Sequence, residues 1–171
     1  THIGHGVAFD PTGTYLAVAH SSDPYITIYK RSGDTFTKLP DPSTLPTGIG
    51  LGVAFDPTGT YLAVAHARDP YITIYKRNGD TFTKLSSPSI GLPTNTAYGV
   101  AFDPTGTYLA VAYASYPYIT IYKRSGDTFT NLPIPSTLPT HIGHGVAFDP
   151  TGTYLAVAHD SDPYITIYKR S

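Results

Sequence analysis

Several amino acids are missing from this sequence altogether. Its 171 residues include no cysteine, methionine, tryptophan, glutamate or glutamine. Without cysteine, the chain has no disulfide scaffold, thiolate zinc site, iron–sulfur cluster or thiol nucleophile. No apolar run approaches the roughly 20 residues of a membrane helix, so we expect no membrane insertion. The formal net charge of −1 gives no general attraction to nucleic acid, and we expect no nucleic-acid partner.

The residues that are abundant favour strands over helices. The chain has 16 glycines, 16 prolines and 15 tyrosines, and it is rich in threonine. Tyrosine and threonine suit a pleated, half-buried sheet, whereas glycine and proline interrupt helices. This composition predicts an all-β protein.

The sequence is a tandem repeat. The string GVAFDPTGTYLAVA begins at Gly6, Gly52, Gly99 and Gly145, at spacings of 46, 47 and 46 residues. Each copy is followed by PYITIYKR, which starts at Pro24, Pro70, Pro117 and Pro163. We therefore predict one array over residues 1–171 with four units of about 46 residues.

A complete unit contains four short apolar or β-branched runs. In the first unit they are Gly6–Phe9, Tyr15–Ala19, Tyr25–Tyr29 and Thr35–Leu39, and Asp10–Gly13 forms a turn after the first. Four-stranded meanders that recur about every 40 to 50 residues are typical of β-propellers. We predict a β-propeller of four-stranded antiparallel blades, about 46 residues per repeat, with four repeats in the chain.

The unit resembles the repeat of tryptophan–aspartate-repeat propellers, in a bacterial form with near-identical copies. Residues 7–17 resemble that family's inner strand, turn and second strand, and residues 25–30 resemble its third strand. In place of the closing Trp-Asp the chain has Tyr29-Lys30, Tyr75-Lys76, Tyr122-Lys123 and Tyr168-Lys169. The resemblance implies a propeller fold.

Differences between the units concentrate in two segments that a propeller places on one face. The loop after the second strand reads HSSD at His20, HARD at His66, YASY at Tyr113 and HDSD at His159. The connector before each inner strand also varies, as at Tyr98. A binding surface on a rigid scaffold shows such variation, and so does relaxed constraint on duplicated loops. Both interpretations stay open.

Three loop histidines precede an aspartate by three residues. The pairs are His20 with Asp23, His66 with Asp69 and His159 with Asp162, and the third unit has Tyr113 with Tyr116. This joint change predicts a His–Asp bond across the loop, replaced by a Tyr–Tyr contact. A functional role is the alternative.

The other four histidines are paired as His2 with His5 and His141 with His144. Two histidines per copy are able to ligate a transition metal where copies converge. The second and third connectors have no histidine, so we interpret the pairs as polar rim residues and predict neither a metal nor a cofactor.

The sequence predicts a non-enzymatic binding scaffold, because every candidate catalytic residue is repeated and no unit is singled out. A propeller lactonase would need a unique acidic or metal-binding set. The alternative is a structural module of an extracellular, virion-like or filamentous assembly. The candidate ligand face, for a protein or a glycan, comprises His2, His5, His20, Asp23, His66, Arg68, Asp69, Tyr98, Tyr113, Tyr116, His141, His144, His159 and Asp162.

The last unit stops after its third strand and is predicted to lack its outer strand. Three explanations stay open: the chain is a piece of a longer array, a disordered tail follows, or a neighbouring molecule supplies the missing strand. Among assemblies, we expect self-association through open repeat ends first, as a dimer or a higher assembly. A lone four-bladed ring and a filament are the alternatives.

Overall fold

The computed structural model of the chain describes residues 3–170, which form fifteen β strands. Along the chain they are β1 Gly4–Phe9, β2 Tyr15–His20, β3 Ile26–Ser32, β4 Thr35–Lys38, β5 Gly50–Phe55, β6 Tyr61–His66, β7 Ile72–Asn78, β8 Thr81–Lys84, β9 Ala97–Phe102, β10 Tyr108–Tyr113, β11 Ile119–Ser125, β12 Thr128–Asn131, β13 Gly143–Phe148, β14 Tyr154–His159 and β15 Ile165–Lys169. Between residues 3 and 170, no helix is long and apolar enough to cross a membrane.

The turn after each inner strand is held by its first aspartate. In the second unit, the buried Asp56 carboxylate accepts hydrogen bonds from Thr58 Oγ1 at 2.7 Å and from the Tyr61 backbone N–H at 2.7 Å. Gly59 completes this turn at φ +68°, in the left-handed region that glycine adopts without steric cost. The Asp-Pro-Thr-Gly sequence therefore fixes the antiparallel return between inner and second strands.

The strands form four antiparallel meanders, one per repeat. The sheet orders are β1-β2-β3-β4, β5-β6-β7-β8, β9-β10-β11-β12 and β13-β14-β15. The inner strands contact one another in sequence, β1 with β5, β5 with β9 and β9 with β13. This arrangement confirms the predicted fold class, an all-β propeller array with a repeat of about 46 residues.

The core lies between the blades, where neighbouring sheets pack face to face, and the second and third sheets bury both of their faces in this way. At the first interface, Tyr15 and Ile28 of the first blade pack with Leu62, Tyr75 and Phe82 of the second. The Tyr15 ring meets the Phe82 ring edge-on at 6.0 Å. Bulky side chains on both faces of the middle strands are therefore a requirement of blade stacking.

Polar groups join the outer part of each interface. Tyr15 Oη donates a hydrogen bond to Asp80 Oδ1 at 2.6 Å, and Lys30 Nζ lies 2.8 Å from Asp80 Oδ2. The Arg77 guanidinium lies over the Tyr15 ring at 4.5 Å. The same contacts recur between the second and third blades, with Tyr61, Asp127, Lys76 and Arg124.

Candidate histidine–aspartate site

The register of the inner hairpins brings the two variable segments together. Gly4 pairs with His20, and Gly143 pairs with His159. Residues just before an inner strand therefore lie beside residues just after the second strand, since the two strands are antiparallel. We call the surface formed by residues 20–25, 66–71, 113–118 and 159–164 and by the residues preceding each inner strand the histidine face.

Three of the predicted face residues are buried and bond inward. His66, Tyr113 and His159 are the last residues of their second strands, and each is within hydrogen-bond distance of the threonine hydroxyl on the neighbouring strand. His66 Nε2 lies 3.0 Å from Thr73 Oγ1, and Thr120 Oγ1 lies 3.1 Å from Tyr113 Oη. These bonds pin the loop end of the middle hairpin.

These contacts correct the predicted pairing across the loop. The bond expected between His66 and Asp69 runs instead to Thr73, and His20 Nε2 likewise lies 2.9 Å from Thr27 Oγ1. The expected Tyr113–Tyr116 contact is also wrong, since the Tyr116 ring packs edge-on to Tyr118 at 6.4 Å. The backbone turns over the five residues 67–71, so the antiparallel return brings Thr73 of the neighbouring strand beside His66.

Burial has an electrostatic consequence at His66. Removal from water disfavours the imidazolium and lowers the pKa of His66 to about 4. Burial also raises the pKa of the Tyr113 hydroxyl, which occupies the matching place in the third unit. Both side chains are therefore neutral at pH 7 and belong to the folded core.

The remaining predicted residues are spread over the histidine face. Half-buried residues are His20 and Tyr98, and exposed residues are His5, Asp23, Arg68, Asp69, Tyr116, His141, His144 and Asp162. His2 lies outside the described residues. Arg68 and Asp69 are tied to the preceding connector, because Thr47 Oγ1 donates to the Asp69 carbonyl at 2.5 Å.

On the histidine face, a group of side chains converges in the fourth unit. His141 Nδ1 lies 2.6 Å from Asp160 Oδ1, and His144 Nε2 lies 3.8 Å from Asp160 Oδ2. Both oxygens of one carboxylate therefore face imidazole nitrogens. Because a carboxylate only accepts hydrogen bonds, we assign the His141 proton to Nδ1, which leaves Nε2 as an acceptor.

The third unit supplies aromatic walls for this group. The Tyr118 ring stacks on His141 with centroids 6.0 Å apart and planes inclined by 27°. Tyr98, on the neighbouring inner strand, contacts the His144 ring at 5.2 Å. Each imidazole is thus held between Asp160 and a tyrosine, which restricts the orientation of both rings.

Asp160 is the functional candidate that the sequence analysis missed. The matching position is Ser21 in the first unit, Ala67 in the second and Ala114 in the third. It is therefore a unique carboxylate, in a unit that also carries two histidines before its inner strand. A comparison of the four loops position by position, together with the connector before each inner strand, would have shown that Asp160 and the pair of histidines occur in the same unit.

Cationic side chains are absent from the segments that surround this group. Residues 92–98, 113–118, 131–144 and 159–164 include no lysine or arginine, and Asn131 stands where the first two units have Lys38 and Lys84. Over residues 3–170, no three histidine, cysteine or acidic side chains are grouped so as to hold a metal ion. The group consists of the His141 imidazole hydrogen-bonded to the Asp160 carboxylate and of the His144 imidazole 3.8 Å from the second carboxylate oxygen.

Comparisons with known proteins identify the fold. A protein named "putative 6-phosphogluconolactonase" from Bacteroides uniformis has 16% identity and a TM-score of 0.79, over 100% of this chain and 51% of its own. One of the same name from Bacteroides fragilis has 16% identity and a TM-score of 0.80, over 99% and 51%. The β-propeller domain of Cps50 (Swd1) from Myceliophteria thermophila has 14% identity and a TM-score of 0.70, over 99% and 55%.

The chain spans about half the length of these structures. No protein-family model matches the sequence, and no curated protein matches it significantly. The fold is that of a β-propeller, as in the Cps50 (Swd1) domain, which the chain matches over 99% of its length.

The expectation of a non-enzymatic scaffold, with its structural-module alternative, is corrected by these comparisons. Two of the similar structures carry the name of a lactonase, which points away from a purely structural or binding role. The physical reason for the error lies in Asp160. The expectation assumed that every potential catalytic residue was repeated, whereas this carboxylate and its imidazole contacts occur once among the described units.

Proposed function

We propose that the chain hydrolyses a sugar lactone at His141 and Asp160. The observation that carries the proposal is the 2.6 Å contact between His141 Nδ1 and Asp160 Oδ1, in the one unit where an acidic residue occupies that loop position. An imidazole oriented by a carboxylate is a common general base for the attack of water on an ester. The lactonase name of two similar structures supports the same reaction class.

The reaction needs one proton acceptor and one water molecule. His141 Nε2 removes a proton as the water oxygen bonds to the lactone carbonyl carbon, and Asp160 stabilises the imidazolium that forms. The tetrahedral intermediate then breaks its bond to the ring oxygen. The imidazolium returns the proton to that oxygen, so lactone and water give an open-chain hydroxy acid and His141 is regenerated.

The surroundings favour an uncharged sugar lactone over a phosphorylated one. A phosphate is usually bound by arginine, lysine or a helix N-terminus, and the segments around His141 have neither cationic residue. Tyr98 and Tyr118 instead offer aromatic faces beside the imidazoles. Such faces pack well on the apolar face of a sugar ring.

A pH-stat assay with glucono-δ-lactone and its 6-phosphate tests the proposal. We expect acid release with the neutral lactone, and a loss of about 100-fold in kcat/KM for Asp160→Ser, since a general base contributes roughly 10²- to 10⁴-fold. Asp160→Ser introduces the residue of the first unit at this position. His141→Asn is expected to lose at least as much.

Asp162→Asn is the matched control, because it removes the same charge from the same loop two residues away. We expect this variant to retain wild-type kcat/KM. Absence of enzyme-dependent acid release, or equal activity in Asp160→Ser and wild type, would contradict the proposed function. A preference for the phosphorylated lactone would contradict the proposed substrate class.

We further propose that the blades are of the tryptophan–aspartate-repeat type, with Tyr–Lys at the closing position. Support comes from the second unit, where Tyr75 is fully buried and its hydroxyl donates to the Thr44 carbonyl at 2.9 Å. Lys76 then reaches Asp127 of the next blade at 2.8 Å. The dipeptide thus joins its blade to both neighbours.

A further inference from the structure

The third unit differs from the others in the loop that approaches His141. Tyr116 stands where the other three loops have an aspartate, at Asp23, Asp69 and Asp162. Its ring packs edge-on to the Tyr118 ring at 6.4 Å, and Tyr118 in turn stacks on His141 at 6.0 Å. An unbroken series of contacts therefore runs from Tyr116 to His141, whose Nδ1 lies 2.6 Å from Asp160 Oδ1.

Both ends of this series are side chains that occur in one unit only. The positions that match Asp160 carry serine or alanine, and those that match Tyr116 carry aspartate. The two middle members are not unique, because every unit has a tyrosine after the loop proline and the first unit has His2 at the position of His141. Separate differences in two neighbouring blades therefore meet at one imidazole, and what is particular to this site is the support on either side of it.

The backbone of the loop holds Tyr118 in place without fixing its ring. Tyr118 has a φ of +69°, in the left-handed region that bulky residues rarely adopt. Its N–H donates to the Ser115 carbonyl at 2.6 Å, and its own carbonyl accepts from the Tyr113 N–H at 3.0 Å. The Ser115 and Thr94 hydroxyls, 2.7 Å apart, tie the loop to the connector before β9. Since the same φ recurs at Tyr25, Tyr71 and Tyr164, this backbone belongs to every blade, and the ring contact with Tyr116 is the local addition.

The ring contact matters because a general base needs a fixed direction. The hydrogen bond to Asp160 holds one edge of the His141 ring, but a single hydrogen bond allows the ring to turn about it. The Tyr118 ring, inclined by 27° to the imidazole, limits that turn and keeps Nε2 pointing in one direction. Small errors in such a direction are costly to a catalysed step.

We propose that Tyr116 is a positioning residue, which keeps Tyr118 against His141 and thereby aligns the imidazole for the attack of water. This inference rests on the proposed function. Tyr116 is 67% exposed, so truncation of its ring removes little buried surface. We expect the melting temperature of Tyr116→Ala to stay within about 2 °C of the wild type.

Steady-state kinetics with glucono-δ-lactone measures the effect on the reaction. An aromatic pair biases an orientation by about 2- to 10-fold, and we expect Tyr116→Ala to lower kcat by that factor and to change KM less. Tyr116→Phe keeps the ring edge and is expected to keep the wild-type kcat. Tyr116→Asp introduces the residue of the other three loops, which this backbone accommodates, and is expected to lose kcat as Tyr116→Ala does.

Ile90→Ala is the matched control for the loss of an exposed apolar side chain. Ile90 is 64% exposed and lies on the connector between β8 and β9, where it faces β12. We expect this variant to keep the wild-type kcat and KM.

The proton NMR signals of the His141 ring report its placement without any need for activity. The chain has seven histidines, so the signals that disappear in His141→Asn assign this residue. A stacked aromatic ring shifts the resonances of the ring that it covers. We expect the His141 signals to move toward those of an exposed histidine in Tyr116→Ala and to stay in place in Tyr116→Phe.

The two measurements separate this proposal from the proposed function. Unchanged His141 signals in Tyr116→Ala would overturn the positioning role, whether or not the chain is an enzyme. Shifted signals together with a wild-type kcat would overturn it as well, because the placement of the ring would then not limit the reaction. A wild type without lactonase activity, whose His141 signals nevertheless move in Tyr116→Ala, would overturn the proposed function and confirm the series of contacts.

Discussion

Acidification is expected to destabilise the fold through His66. Burial lowers the pKa of this imidazole to about 4, whereas an unfolded chain titrates near the ordinary value of 6.5. Below pH 6.5 the unfolded state therefore binds a proton that the folded state does not. The stabilisation is fully present above that value and is lost as the pH falls from about 6.5 to about 4.

The magnitude follows from the shift of the pKa. Each pKa unit corresponds to about 1.4 kcal/mol, so His66 alone accounts for a loss of about 3 kcal/mol between pH 7 and pH 4. Urea unfolding followed by circular dichroism at pH 7, 5 and 4 measures this loss. With a slope of about 2 kcal/mol/M, the midpoint falls by about 1.5 M urea.

His66→Tyr supplies the decisive comparison. The third unit already places a tyrosine at this position, where Tyr113 is buried and bonded to Thr120. We expect the variant to fold and to lose most of the pH dependence between 6.5 and 4. His20→Tyr, at the matching half-buried position, is expected to change the slope much less. Equal slopes for wild type and His66→Tyr would refute the assignment.

Two further substitutions test the turns and the interfaces. Asp56→Ala removes the acceptor of two hydrogen bonds at 2.7 Å in a buried turn, and we expect a loss of about 2–4 kcal/mol in urea unfolding. Asp149→Ala, in the more exposed fourth unit, should cost less, and equal losses would contradict the role of burial. Tyr61→Phe removes a 2.6 Å bond to Asp127 and is expected to cost about 1 kcal/mol. Tyr154→Phe, at the matching but 45% exposed position, is expected to cost less than Tyr61→Phe, and an equal loss there would show that the effect is local to the tyrosine.

The repeat allowed the fold to be predicted almost completely. Periodicity, the Asp-Pro-Thr-Gly turns and the β-branched third strand define a blade without any tertiary information, because each signal is local. Strand bounds moved slightly, since Gly4 and His20 extend the inner hairpin by pairing at its end. The contact partners of His66 were not predictable in the same way. They depend on which strand lies beside the loop, and spacing within the loop suggested Asp69 instead of Thr73.

The candidate site was missed for a different reason, which concerns how near-identical repeats are compared. Residues shared by all units describe the blade, so chemistry that belongs to a single position must lie where the units differ. His141 alone does not mark such a position, because the first unit has the same two histidines. Asp160 does mark such a position, because the other units have no carboxylate there. Its contact with His141 becomes evident only from the antiparallel register, which brings the loop beside the connector. A unique residue therefore gains functional weight when the fold brings it to another variable residue, and the 2.6 Å contact with His141 meets that condition.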